Sequence, residues 1–168
     1  MIKYSSKEIK SYNSSKLAKG EKGDCFVRAI ATATDVDYDT SHKFVAKHFK
    51  RKPRKGTENH LIVKAMAGFQ EEGMEIGKKR FKVLTLPKSR ITNTYKLYGE
   101  LIDRKKTVKS FIEDNPKGTY IVGVSKHAFT IKDGTLIDNK GNEFKPTRKV
   151  DSVYQIKIDN PVKQLELF

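Results

Sequence analysis

TYIVGVSKHAFTIKDGTLI, residues 119–137, is the stretch that most constrains the fold. Its two apolar, β-branched runs, Thr119–Val124 and His127–Ile131, each predict a strand. Asp133-Gly134 is a signal for a tight two-residue turn, so Thr135–Ile137 is predicted to be the next strand. Val150–Ile158 alternates well enough between apolar and polar residues to form a final strand. We therefore expect an antiparallel sheet in the C-terminal third of the chain.

The residues before this predicted sheet show the apolar spacing of helices. A first helix is predicted from Asp24, a good N-cap residue, to about Thr34-Asp35. The apolar residues at helical spacing in it are Cys25, Phe26, Ala29, Ile30 and Ala33. The other predicted elements are helices at about 38–50, 59–67 and 107–112, and strands at 81–86 and 94–101. Helices followed by antiparallel strands indicate an α+β domain.

Composition limits the class of protein. The chain has 168 residues with 35 Lys and Arg against 20 Asp and Glu, a formal net charge of +15. This length suits one domain, and we expect residues 1–22 to be a polar N-terminal arm, 23–158 the domain and 159–168 a C-terminal tail. No apolar run reaches the ~18 residues of a membrane span, and the N-terminus lacks the apolar core of a secretory signal.

Cysteine and histidine usage argues against a metal site. The chain has one Cys and four His, which excludes an internal disulfide framework and does not fit a Cys-rich zinc site. His42 and His48 are six residues apart, which does not place them on one helix face. We expect no metal and no cofactor, and a reducing compartment.

The sharpest chemical signal combines three residues far apart in the chain. Cys25 is predicted at the start of a helix, where free N–H groups and the helix dipole favour a thiolate and can receive an oxyanion. His127 begins a predicted strand, and Asp138 with Asn139 follows the next one. Adjacent antiparallel strands would bring His127 near Asp138, so that Asp138 orients the imidazole while His127 accepts the thiol proton.

Two blocks of sequence resemble a known family. Gly23–Ile30 (GDCFVRAI), together with Gly118–Ala128 (GTYIVGVSKHA) and the Asp133-Gly134 turn before Asp138, is similar to small papain-like cysteine peptidases, and most similar to compact members from bacteriophage genomes. The resemblance implies N-terminal helices, with the Cys at a helix N-terminus, packed on an antiparallel sheet that carries the His. It also implies Cys25 as nucleophile, His127 as base and Asp138 as orienting residue, with Asn139 as the alternative.

The resemblance departs from the family pattern at one position. Papain-like peptidases place a Gln a few residues before the Cys to complete the oxyanion hole, whereas Lys19, Gly20, Glu21 and Lys22 stand there in this chain. Either a backbone N–H or Lys19 substitutes, or the site does not cleave amides. The two hypotheses are therefore a cysteine peptidase and a non-catalytic DNA-associated or virion protein with the same fold. Both imply the cytoplasm of a bacterial host, or packaging in the virion.

The last five residues suggest a docking peptide. Gln164-Leu165-Glu166-Leu167-Phe168 resembles the short peptide with which bacterial replication proteins bind the sliding clamp. Leu167 and Phe168 would fill an apolar pocket and Gln164 would make polar contacts at its edge. The partner-binding residues predicted here are Gln164, Leu165, Leu167 and Phe168. The alternative is an apolar tail packed on the domain.

Clusters of positive charge indicate nucleic acid as another partner. A basic field attracts phosphate backbones without sequence preference. The predicted nucleic-acid-binding residues are Lys47, Lys50, Arg51, Lys52, Arg54 and Lys55. The alternative is a solvated, lysine-rich surface.

Overall fold

The computed structural model describes residues 2–5, 9–70, 72–138 and 145–159. The helices are α1 (Cys25–Thr34), α2 (Tyr38–His48), α3 (Asn59–Gly68), α4 (Lys88–Ile91) and α5 (Val108–Asp114). The strands are β1 (Lys3–Ser5), β2 (Met74–Ile76), β3 (Lys79–Thr85), β4 (Thr92–Leu97), β5 (Glu100–Lys105), β6 (Thr119–Val124), β7 (His127–Lys132), β8 (Thr135–Ile137) and β9 (Ser152–Asp159). The molecule is α+β, as the sequence predicts.

Seven strands form one sheet in the order β1-β8-β7-β6-β9-β3-β2. All neighbours are antiparallel except β1, which runs parallel to β8. The Asp133-Gly134 turn joins β7 to β8 with φ of 44° and 80°, the left-handed conformation that a two-residue hairpin turn requires. The hairpin arrangement predicted for residues 127–137 is therefore confirmed.

Both faces of the sheet are covered. Helices α1, α2 and α3 pack on one face, where alternate sheet residues such as Ile121 and Ile156 join their core. Helix α5 packs on the other face, against Val122 and Ile131 among others. Because successive strand residues point to opposite faces, a sheet covered on both sides needs apolar residues at consecutive positions. The unbroken apolar run Tyr120–Val122 meets that need.

Residues 94–101 differ from the single strand predicted there. Tyr98 and Gly99 have φ of 49° and 81°, and they form the turn of a separate two-stranded hairpin, β4–β5. The side chain of Tyr98 at its tip is 97% exposed. These residues are extended, as predicted, but the Tyr98-Gly99 turn divides them between two strands.

Described residues of the predicted polar N-terminal arm pack on the domain. Strand β1 adds to the sheet edge with Tyr4 opposite Leu136, and Ile9 and Ser15 are buried. The apolar and aromatic residues of this segment that pack against the core are Ile2, Tyr4, Ile9, Tyr12 and Ala18. The described part of the chain contains no helix long and apolar enough to cross a membrane.

Candidate active site

Helix α1 positions Cys25 as its first residue. The helix is held on the sheet through Thr130 of β7, whose buried hydroxyl donates a 2.8 Å hydrogen bond to the carbonyl of Ala29. Phe26, Val27 and Ile30 are almost fully buried in the core beneath it. The N–H groups of the first helical turn have no acceptor within the helix. Cys25 therefore lies at the end of the helix that carries a partial positive charge.

Strand register brings His127 to Asp138. Thr130 of β7 lies opposite Ile137 of β8, so Asp138 continues the strand towards the position opposite Phe129. His127 is two residues from Phe129 on the same face, a diagonal distance that long side chains bridge. The two side chains meet, with Nε2 of His127 2.6 Å from Oδ2 of Asp138.

Cys25 and His127 share a hydrogen bond across the helix–sheet boundary. Because Nε2 of His127 faces Asp138, Nδ1 is the ring nitrogen that remains for the sulfur. Burial tends to raise the pKa of Cys25, but hydrogen bonds from the His127 side chain and the Ala128 backbone N–H outweigh it and lower that pKa. The lowered pKa of Cys25 favours the thiolate form.

The partner group shifts in the opposite direction. The hydrogen bond to the Asp138 carboxylate, followed by the one to Cys25, raises the pKa of His127 to about 9, although burial opposes it. A raised imidazole pKa beside a lowered thiol pKa favours an ion pair between protonated His127 and deprotonated Cys25.

Strand β1 fixes the position of Asp138. Ser5 lies opposite Ile137, and the backbone N–H of Asp138 donates a 3.1 Å hydrogen bond to the carbonyl of Ser5. The side chain of Asp138 is only 7% exposed. The segment predicted to be a polar arm thus helps to hold the carboxylate that contacts His127.

A buried acid holds the loop before Cys25. Glu21 accepts hydrogen bonds from the Arg51 guanidinium at 3.1 Å and from the Arg54 backbone N–H at 2.6 Å, and it lies 2.7 Å from Nε2 of His42. Arg51 also donates to the carbonyl of Lys22. Although burial opposes the shift, Arg51 and His42 lower the pKa of Glu21 to about 2. These contacts join the loop to α2 and to the segment after it.

Asp24 was predicted to cap α1 with its side chain, but it does not. Its side chain makes no capping hydrogen bond, and Oδ2 instead accepts from the Tyr38 hydroxyl at 2.7 Å and from Nε of Arg28 at 3.0 Å. These bonds to α2 and to the next turn of α1 satisfy the carboxylate more fully than a single backbone N–H would. Asp24 therefore anchors the helix start through side chains.

Two clefts meet at Cys25 and His127. The first has a volume of about 590 Å³ and extends between Phe26, Ile62 and Tyr154, with Lys105 at its wall. The second has a volume of about 310 Å³ and lies on the Asp138 side. Since both clefts contain the Cys25–His127 pair in their walls, an extended molecule lying through them would cross the sulfur.

The structure brings together Cys25, His127 and Asp138 but does not extend to every predicted site residue. Asn139 lies outside the described residues. So do the predicted partner-binding residues of the tail, which are Gln164, Leu165, Leu167 and Phe168. Docking on a sliding clamp therefore stays a prediction.

The predicted nucleic-acid-binding cluster contains both exposed residues and one buried residue. Its exposed members are Lys47, Lys50, Lys52, Arg54 and Lys55. Arg51 differs from them, because its side chain is 1% exposed and bound to Glu21. Arg51 must therefore be removed from the predicted nucleic-acid surface. Spacing along the chain does not reveal which member of a charge run turns inward to meet a buried acid.

Other residues at the site carried no recognisable sequence signal. Asn59, the first residue of α3, lines the first cleft and has the only side-chain amide among the described residues of the two cleft walls. Lys19, considered above as a substitute for the missing Gln, is exposed and lines neither cleft. Asn59 could not have been found from spacing, because it reaches the cleft through tertiary packing.

Three comparisons with known proteins found no relative from which a function could be inferred. No protein-family model, curated protein or solved structure matches this chain. Within the described ranges, no group of three or more His, Cys, Asp or Glu side chains is arranged to hold a metal ion.

Replacing Asp138 is expected to change the titration of His127. In Asp138→Asn, loss of the carboxylate charge should move the His127 pKa from about 9 towards its ordinary value near 6.5, so the imidazolium is lost at lower pH. NMR of the histidine rings between pH 5 and 11 measures this shift. Asp114→Asn, on α5, is the matched control and should leave the titration in place; equal titrations in both variants would contradict the assigned contact.

Glu21 is expected to make stability depend on pH. Its folded pKa of about 2 is below the ordinary 4.5, so the stabilisation is complete above pH 4.5 and is lost as pH falls towards 2. Urea unfolding at pH 6 and pH 3 should show a smaller loss of stability for Glu21→Gln than for the parent. An equal loss in both proteins would exclude Glu21 as a source of the pH dependence.

Proposed function

We propose that the protein is a cysteine hydrolase of the papain-like type, which cleaves a peptide or isopeptide bond through a thioester on Cys25. The observation that carries this proposal is the chain of contacts from Cys25 to His127 to Asp138, in which His127 Nε2 and Asp138 Oδ2 are 2.6 Å apart. A buried structural cysteine requires neither a histidine with a raised pKa nor an open cleft on each side.

The reaction follows from the protonation states. The Cys25 thiolate attacks the carbonyl carbon, a C–S bond forms, and the carbonyl π electrons move to oxygen. When the tetrahedral intermediate collapses, the C–N bond breaks and the amine takes a proton from His127. His127 then removes a proton from water, which attacks the thioester, and when the C–S bond breaks the acid is released and the Cys25 thiolate and the protonated His127 are restored. Asp138 holds the ring in place and stabilises its charged form.

Backbone N–H groups are the best candidates to stabilise the oxyanion. Cys25 is the first residue of α1, so its own N–H lies beside the reacting carbon and has no acceptor within the helix. The Asn59 amide in the first cleft offers a second donor of the type that the missing Gln would supply. Lys19 is not needed in this arrangement.

A non-catalytic role is the competing proposal. The exposed lysines near α2, together with Arg54, support non-specific contact with nucleic acid, and a clamp-docking tail would agree with that role. A protein of this kind would keep the fold and would tolerate Cys25→Ala. Catalysis is favoured because the three side chains and both clefts converge on one sulfur.

Acylation by a generic ester tests the hydrolase without knowledge of its substrate. With p-nitrophenyl acetate, Cys25 should become acetylated, as seen by mass spectrometry, and then lose the acetyl group to water. His127→Ala should slow both steps, by roughly a hundredfold or more if general base catalysis is lost. Cys25→Ala should abolish acylation at this position.

Lys117→Gln is the control for unspecific effects, because Lys117 precedes β6 at the end of the strand away from His127. It should acylate and deacylate like the parent. The proposal is overturned if the parent and His127→Ala acylate at the same rate, or if the acetyl group on the parent persists as long as it does on His127→Ala.

A further inference from the structure

The second cleft differs from the first in the charge of its wall. Lys22, Arg28 and Lys126 contribute to it, next to Cys25 and His127. Lys126 also lines the first cleft, but the other lysine there, Lys105, is bound to Asp151 at 2.5 Å, which neutralises it. Lys22 and Lys126 are exposed, and within the described residues neither forms an ion pair.

The carboxylates of the second cleft are buried and bound to partners. Glu21 is bound by Arg51, Asp24 by Arg28, and Asp138 by His127. Their side chains are 3%, 9% and 7% exposed, respectively. The negative charge of the wall is therefore withdrawn from solvent, whereas Lys22 and Lys126 of the same wall remain exposed.

We infer that the second cleft selects an acidic residue next to the scissile bond, so that the substrate is an acidic peptide segment. The inference rests on the proposed hydrolase for its substrate, but the charge of the cleft is a separate property. Lys126 precedes His127 and Lys22 lies three residues before Cys25, so a carboxylate held between them would be close to the bond attacked. Exposed ammonium groups attract a carboxylate without requiring it to lose much hydration.

Competition between two alkylating reagents measures this charge preference directly. Iodoacetate is anionic and iodoacetamide is neutral, and both react with the same thiolate, so the ratio of their rates cancels any change in the Cys25 pKa. A unit charge at about 7 Å in a water-like dielectric changes a rate about threefold. The iodoacetate-to-iodoacetamide ratio should fall by about that factor in Lys22→Gln and in Lys126→Gln, and further in the double variant.

Lys117→Gln removes the same charge from the far end of β6 and should leave the ratio close to that of the parent. Quenched fluorescent peptide pools with Glu or the isosteric Gln beside the cleaved bond then test the substrate. The Glu pool should be cleaved faster by the parent, and the double variant should lose that preference.

The outcomes separate this inference from the proposed hydrolase. If the lysine variants and Lys117→Gln change the reagent ratio equally, the charged cleft is overturned even when hydrolysis depends on Cys25. If hydrolysis occurs without a Glu preference, the substrate class is overturned. If the ratio falls as expected but the parent neither acylates nor cleaves by way of His127, the hydrolase fails and the cleft is an anion-binding site.

Discussion

The packing of α1 on β7 is the constraint on which the candidate site depends. Cys25 belongs to the helix and His127 to the strand, so their hydrogen bond exists only when the two elements keep their relative position. The buried bond from Thr130 to Ala29 fixes this position along the helix axis, and the side chains beneath α1 fix its height above the sheet. Loss of a buried hydrogen-bond partner costs about 1–3 kcal/mol, so a shift of the helix is strongly disfavoured.

The pKa shifts of His127 and Cys25 depend on that packing. The Asp138 carboxylate stabilises the protonated form of His127, and the imidazolium in turn stabilises the thiolate of Cys25. Strand β1 holds Asp138 from one side, while Glu21 and Arg51 hold the loop before Cys25 from the other. Residues outside the reacting groups thus set both the geometry and the protonation of the pair, as expected where pKa values are shifted for chemistry.

Local patterns in the sequence predicted much of this arrangement. The apolar spacing after Asp24 identified α1, and the Asp133-Gly134 turn fixed the pairing that brings His127 to Asp138. Three features were not predictable in this way: β1 pairs with the sheet, Arg51 is buried against Glu21, and Asn59 lines the first cleft. Each depends on a partner distant in the chain, and periodicity reports only which residues are apolar. The Tyr98-Gly99 turn was missed because it interrupts an otherwise continuous extended pattern.

The pH dependence of Cys25 alkylation by iodoacetamide tests the central claim most directly. The chain contains one cysteine, so every labelled molecule reports the same site. A thiolate paired with His127 predicts fast labelling well below pH 8.5, the ordinary thiol pKa, and a shift of the profile to higher pH in His127→Ala. An ordinary thiol profile that is the same in the parent and in His127→Ala would contradict the ion pair and, with it, the proposed nucleophile.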